Sequence, residues 1–176
     1  THFKKQKHIR YWQVENEPLD PSGPHRWVIS FDRLAKEVDL VRHVDASRNI
    51  VINLWGNELT KRNLYPQAVR LADVIGIDLY PRVPGPMGYR GPLDSDDQLR
   101  HIVTSIKAAG KALWISELQA EPWGLRRSCL PRHIIENTQW ALQFAPDALW
   151  YWGYEYWYER HKKGDDAYWK IMQKAV

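Results

Sequence analysis

Hydrophobic residues are grouped in five short runs: Ile9 to Val14, Asn49 to Trp55, Asp73 to Pro81, Ala112 to Glu117 and Ala148 to Gly153. Their shortness and their content of Val, Ile, Trp and Tyr predict strands, and the near-continuous apolar run from Ile50 to Trp55 suits a strand buried on both faces. Between them the spacing changes to that of helices. Phe31, Leu34, Val38 and Val41 predict a helix from about Trp27 to His43, and Pro66 opens a modest one that runs to Ala72. Ser95 followed by Asp96, Asp97 and Gln98 has the capping-box spacing, Leu99, Ile102, Val103 and Ile106 form an inner face, and Gly110 is the stop. Further helices are predicted from Pro131 to Phe144 and from Asp165 to Lys174.

A strand, a loop and a helix thus recur with a period of roughly 25 to 40 residues, the alternation of a parallel sheet with helices outside. Loops after strands are long and aromatic, such as the one holding Pro122, Trp123 and Gly124, whereas loops after helices are short. In a (β/α)8 TIM barrel that asymmetry puts chemistry at the C-terminal ends of the strands. A doubly wound sheet would show a glycine-rich phosphate turn after an early strand, and the sequence has none. The expected fold class is α/β, a TIM barrel of which about five βα units are present.

Composition narrows the function. At 176 residues and 44% apolar content, the chain fits one domain with a core of useful size. There is no apolar run long enough to cross a bilayer, no secretory signal pattern, and Cys129 stands alone, without a partner for a disulfide or a zinc site. The net charge of +4 is dispersed apart from Lys4 to Lys7, Arg126-Arg127 and His161 to Lys163, which argues against nucleic acid. Histidines lack metal-ligand spacing, so no metal and no cofactor are expected. Ten tryptophans are the unusual feature, since such rings serve either as core or as the wall of a ligand cleft.

The candidate chemistry lies where strands give way to loops. Asn16-Glu17-Pro18 follows the first strand and Glu117 ends the fourth, two strand-end carboxylates that suggest a catalytic pair. Asn16-Glu17-Pro18 taken alone could equally cap a loop. Glu15 reads as a structural neighbour, and Glu121 lies in the loop beyond the strand end, where position is less constrained.

With Glu117 ending a strand three units after Asn16-Glu17-Pro18 and Trp152 ending the next, the chain resembles the retaining glycoside hydrolases of the large (β/α)8 clan that includes the family 5 cellulases. The resemblance covers almost the whole chain and implies that its strands are the fourth to the eighth, the C-terminal part of a single catalytic domain. It implies Glu17 as general acid/base, Glu117 as nucleophile, Asn16 as the amide holding the sugar 2-hydroxyl, Tyr80 as the residue orienting the nucleophile and Trp152 as an aromatic platform. The family 5 pattern His-x-Tyr is departed from, since Asp78 stands first in Asp78-Leu79-Tyr80. Trp123 and Trp55, with Tyr154 and Trp157, are candidates for stacking on sugar rings or for packing in the core.

The resulting expectation is hydrolysis of a β-linked oligo- or polysaccharide by double displacement, with a carbohydrate as the partner. The alternatives are a carbohydrate-binding barrel without catalysis and an α/β ligand scaffold without sugar. Five strands leave two open edges, so the expectation includes N-terminal barrel strands that complete the fold. Localisation stays open between cytoplasm and export.

Overall fold

A computed structural model describes residues 2–21, 27–55, 64–85, 88–90, 96–124 and 128–175. All five runs are strands of one parallel sheet: β1 Tyr11–Gln13, β2 Asn49–Trp55, β3 Val74–Leu79, β6 Ala112–Gln119 and β7 Ala148–Trp152. A small antiparallel pair, β4 Val83–Gly85 and β5 Gly88–Arg90, lies in the Pro/Gly-rich stretch after β3. Helices α1 Phe31–Val44, α2 Tyr65–Leu71, α3 Asp96–Ala108 and α4 Pro131–Leu142 carry the chain between the main strands, and α5 Tyr154–Lys162 and α6 Ala167–Ala175 follow β7. No helix among the described residues is long and apolar enough to cross a membrane.

Strand order is β1-β2-β3-β6-β7, the order of the chain, with every neighbour parallel. A doubly wound sheet reverses at a switch point, whereas a barrel winds one way throughout. The sheet is also curled. Tyr11 and Trp114 sit on strands three steps apart, about 14 Å in a flat sheet, yet their ring centroids are 4.6 Å apart. This is an arc of a (β/α)8 barrel, and inward-pointing side chains converge on its axis.

Alternation along the strands separates the two faces. Ile50, Ile52, Leu54, Ile75, Ile77, Leu79, Leu113, Ile115 and Leu118 face outward into a core shared with Leu34, Val38, Leu99 and Ile106 of the helices. Asn53, Gly76, Asp78 and Ser116 take the opposite register, where Asn53 and Ser116 both hydrogen-bond Asp78. Gly76 is required there, because a Cβ on it would lie 2.3 Å from Ser116 Oγ and 3.0 Å from Asn53 Cβ. Gly76→Ala is expected to cost about 1–3 kcal/mol, read as a fall of about 2–4 °C in Tm per kcal/mol.

At the N-terminal ends of the strands the chain uses one device twice. Asp73, just before β3, accepts from Ile50 N at 2.9 Å while its own N–H donates to Ile50 O. Asp147, just before β7, does the same to Leu113, accepting at 2.8 Å and donating at 2.7 Å. These aspartates pin β3 and β7 to their predecessors at the N-terminal end of the sheet.

Element bounds depart from expectation in several places, among them β6, which does not end at Glu117 but runs on to Gln119. α1 begins at Phe31, because Ser30 Oγ caps it by accepting from Arg33 N at 3.2 Å. The expected cap at Ser95 lies outside the described residues, and α3 stops at Gly110 as expected, with φ +72°. α5 was not foreseen: of its run of aromatic and charged residues only Trp157 is buried, so no apolar period announces it.

Candidate active site

Glu17 is aimed by an irregular turn. After β1 the backbone takes φ of 61° at Glu15 and 43° at Glu17, left-handed conformations that cost on the order of 1 kcal/mol each outside glycine. Side chains of β1 and β2 and one backbone bond hold the turn. Glu17 N–H donates to Asn53 Oδ1 at 3.1 Å, Gln13 Nε2 donates to Glu15 O at 3.2 Å, and Glu17 O accepts from Asp20 N at 3.0 Å. The other end of the Asn53 amide donates to Asn16 Oδ1 at 2.9 Å and to Asp78 Oδ2 at 2.6 Å.

Glu117 is aimed by a bulge. Pairing of β3 with β6 slips between Ile77 and Asp78, so that Ile77 faces Ile115 but Asp78 faces Glu117, and Ser116 is the extra residue. A bulge lets two consecutive side chains share a face. Ser116 Oγ accordingly donates to Asp78 Oδ1 at 2.6 Å, and Glu117 Oε2 accepts from the Tyr80 hydroxyl. Carboxylate oxygens of Glu17, Asp78 and Glu117 all lie within 4.8 Å of one another. They form an all-oxygen donor set, but Asp78 is already engaged at both oxygens and Glu117 at one, so internal hydrogen bonding accounts for the arrangement.

Aromatic rings surround the cluster. Tyr80, 2% exposed, is stacked by Trp123 at a centroid distance of 4.4 Å and an angle of 27°. Trp152, 44% exposed at the end of β7, donates from Nε1 to Glu121 Oε1 at 3.1 Å. Gly153 follows with φ +133°, and a Cβ there would lie 2.9 Å from both Glu121 Cβ and Trp157 Nε1. Trp157 is core: it is buried and donates to Ala120 O at 2.7 Å. Trp55 ends β2 in register with Asp78.

Burial, then the charge of Glu117, raises Glu17 from the ordinary carboxylate range to about 7. The same two causes hold Asp78 well above its usual value. Glu117 is raised by burial, against which the Tyr80 hydrogen bond acts, and Tyr80 is in turn pushed up by burial and by Glu117. The Glu17 shift has a sign for stability. Above pH 4.5 the unfolded chain has released a proton that the folded chain keeps, so stability falls as pH rises from 4.5 to about 7 and levels off beyond. Glu17→Gln is expected to flatten that fall and to raise Tm at pH 8 by a few degrees, roughly the effect of relieving one buried like-charge contact; an unchanged Tm–pH curve would contradict the shift.

The structure therefore brings Glu17, Glu117, Asn16, Tyr80, Trp123, Trp55 and Trp152 to one end of the sheet. It leaves Glu15 exposed and Glu121 outside the carboxylate cluster, tied to Trp152. Sequence reading passed over Asn53 and Ser116 and took Asp78 only as a departure from a pattern. The available signal was a polar residue in the inward register of an otherwise apolar strand.

Fold and site together define an arc of a TIM barrel with two glutamates, a buried aspartate and aromatic rings at the C-terminal ends of its strands. Similar solved structures include a GH10 endoxylanase from a sugarcane soil metagenome, with TM-score 0.58 and 16% identity over 96% of this chain and 63% of that one. Xylanase 10B from Thermotoga maritima matches with TM-score 0.59 and 18% identity over 86% of this chain and 50% of that one. The GH53 catalytic domain of Ignisphaera aggregans matches with TM-score 0.51 and 17% identity over 81% of this chain and 47% of that one. The chain thus spans about half to 63% of the length of these neighbours. No protein-family model and no curated protein matches the sequence.

Proposed function

We propose that this chain carries the catalytic carboxyl pair of a retaining β-glycoside hydrolase of the (β/α)8 clan, with Glu17 as acid/base and Glu117 as nucleophile. The observation that carries the reading is the approach of their oxygens to within 4.8 Å. Retention needs a separation of about 5–5.5 Å, too short for the water that an inverting enzyme places between its carboxyls. In the first step Glu117 attacks the anomeric carbon as Glu17 protonates the departing oxygen. In the second, Glu17 takes a proton from water, which displaces the Glu117 ester. In this reading the Tyr80 hydroxyl, which hydrogen-bonds Glu117, orients the nucleophile, Asn16 binds the 2-hydroxyl, and Trp152, Trp123 and Trp55 supply stacking surfaces for pyranose rings.

The five strands correspond in this reading to the fourth through eighth of the barrel, and three further strands close it. The short carboxyl spacing favours hydrolysis over sugar binding alone. The named neighbours that are xylanases make xylan the first substrate to test, followed by galactan, mannan, cellulose and aryl β-glycosides. A 2-deoxy-2-fluoro glycoside with an activated leaving group is expected to label Glu117 in a peptide digest. Hydrolysis of none of these substrates by the protein with its barrel closed, together with no label, would sink the proposal.

A further inference from the structure

A two-carboxyl mechanism has a weakness in its second half. While Glu117 is an anion it helps Glu17 keep a proton, but once Glu117 is an ester that charge is gone, and Glu17 would relax toward an ordinary, weakly basic carboxylate. This protein places a third carboxyl where it offsets that loss. Asp78 is fully buried, has a carboxylate oxygen within 4.8 Å of those of Glu17 and Glu117, and is fixed from below by Asn53 Nδ2 and Ser116 Oγ, each at 2.6 Å. Asn53 also holds the backbone N–H of Glu17 at 3.1 Å, so one amide sets both members of the pair. Glu117, with Tyr80 bonded to it, and Asp20 beside Glu17 are the other ionisable groups that face them.

We propose that Asp78 is a positioning residue that shares the acid/base proton with Glu17 and keeps a second negative charge beside it through both halves of the reaction. This rests on the hydrolase reading above. Before reaction the Glu17–Asp78 pair holds one proton and carries one negative charge, and Glu117 carries another. As the bond from C1 to the leaving oxygen breaks and the bond from C1 to Glu117 forms, the proton passes from Glu17 to the leaving group. The pair then carries two negative charges and the ester none. Attack by water returns the proton to the pair and the charge to Glu117. The three carboxyls hold two negative charges in total at each stage, so Glu17 faces an anion in the second step as it does in the first.

Asp78→Asn and Asp78→Ser both remove the charge, one preserving shape and one not. Both are expected to move the alkaline limb of kcat/KM toward acid by about one pH unit or more, and to lower kcat most for activated aryl glycosides, where hydrolysis of the ester limits turnover. A limb that stays in place in a variant with wild-type circular dichroism, however low its kcat, would overturn the inference and leave Asp78 a structural residue. ¹³C-carboxyl NMR titration of the wild-type protein reads the same point without turnover and without a variant. Glu17 and Asp78 should show two shared midpoints; a single independent midpoint for each overturns proton sharing, whereas shared midpoints in a protein that hydrolyses no glycoside would remove the hydrolase reading alone.

Discussion

Glu117→Gly is expected to lower kcat by about 10⁴-fold or more, and sodium azide to restore turnover of an activated aryl glycoside. The size follows from the role: without Glu117 the oxocarbenium-like centre has no partner on the face opposite the leaving group, and no covalent intermediate divides the reaction into two easier steps. Glycine opens a space that a small anion can enter. Azide entering there attacks from the vacated face, so the product is a glycosyl azide of inverted configuration, identifiable by its anomeric NMR coupling. Glu117→Gln should be equally slow but not rescued, since the amide fills the space while lacking nucleophilicity. Full activity in either variant would remove Glu117 from the role.

How much of this was readable beforehand depends on distance along the chain. The alternation of strands and helices is local, and the apolar run of β2, broken only by Asn53, announces a strand covered on both faces, as found. The strand ends at Gln13 and Leu79 were expected a residue or two further on, at Val14 and Pro81, close enough to name Glu17 and the candidate rings, whereas β6 runs past the end expected at Glu117 to Gln119. What could not be read was register. The bulge that turns Ser116 and Glu117 to the same face arises where β3 and β6, a loop and a helix apart in sequence, fail to keep step.

Asp78 shows the consequence. In sequence it is a charged residue within Val74–Leu79, and its neighbours indicate only that it is buried. That its carboxyl meets those of Glu17 and Glu117 depends on the curl that brings side chains of separate strands together. A strand whose outward residues are Ile75, Ile77 and Leu79 must send Asp78 inward, so the direction was derivable, but its partners were not. The aromatic helix α5 was hidden for a different reason: most of its rings remain half-buried or exposed, and an apolar period is written only by the buried ones.

Glu17→Ala is expected to have an effect that depends on the leaving group. For a glycoside whose departing oxygen is strongly basic, kcat/KM should fall by about 10²–10⁴-fold, the range of general-acid assistance. For a dinitrophenyl glycoside, whose oxygen departs without a proton, the fall in kcat/KM should be small. The alkaline limb near the Glu17 value of about 7 should vanish with it. Hydrolysis of the ester should also slow, since water then lacks its base, and azide, which needs none, should bypass that step. Here the stereochemistry separates the two glutamates. With Glu117 present as the ester, azide attacks from the opposite face and yields a product of retained configuration, whereas in Glu117→Gly it yields the inverted one. The same anion and the same substrate therefore assign both roles, and identical products from the two variants would refute the assignment of acid/base to Glu17 and nucleophile to Glu117.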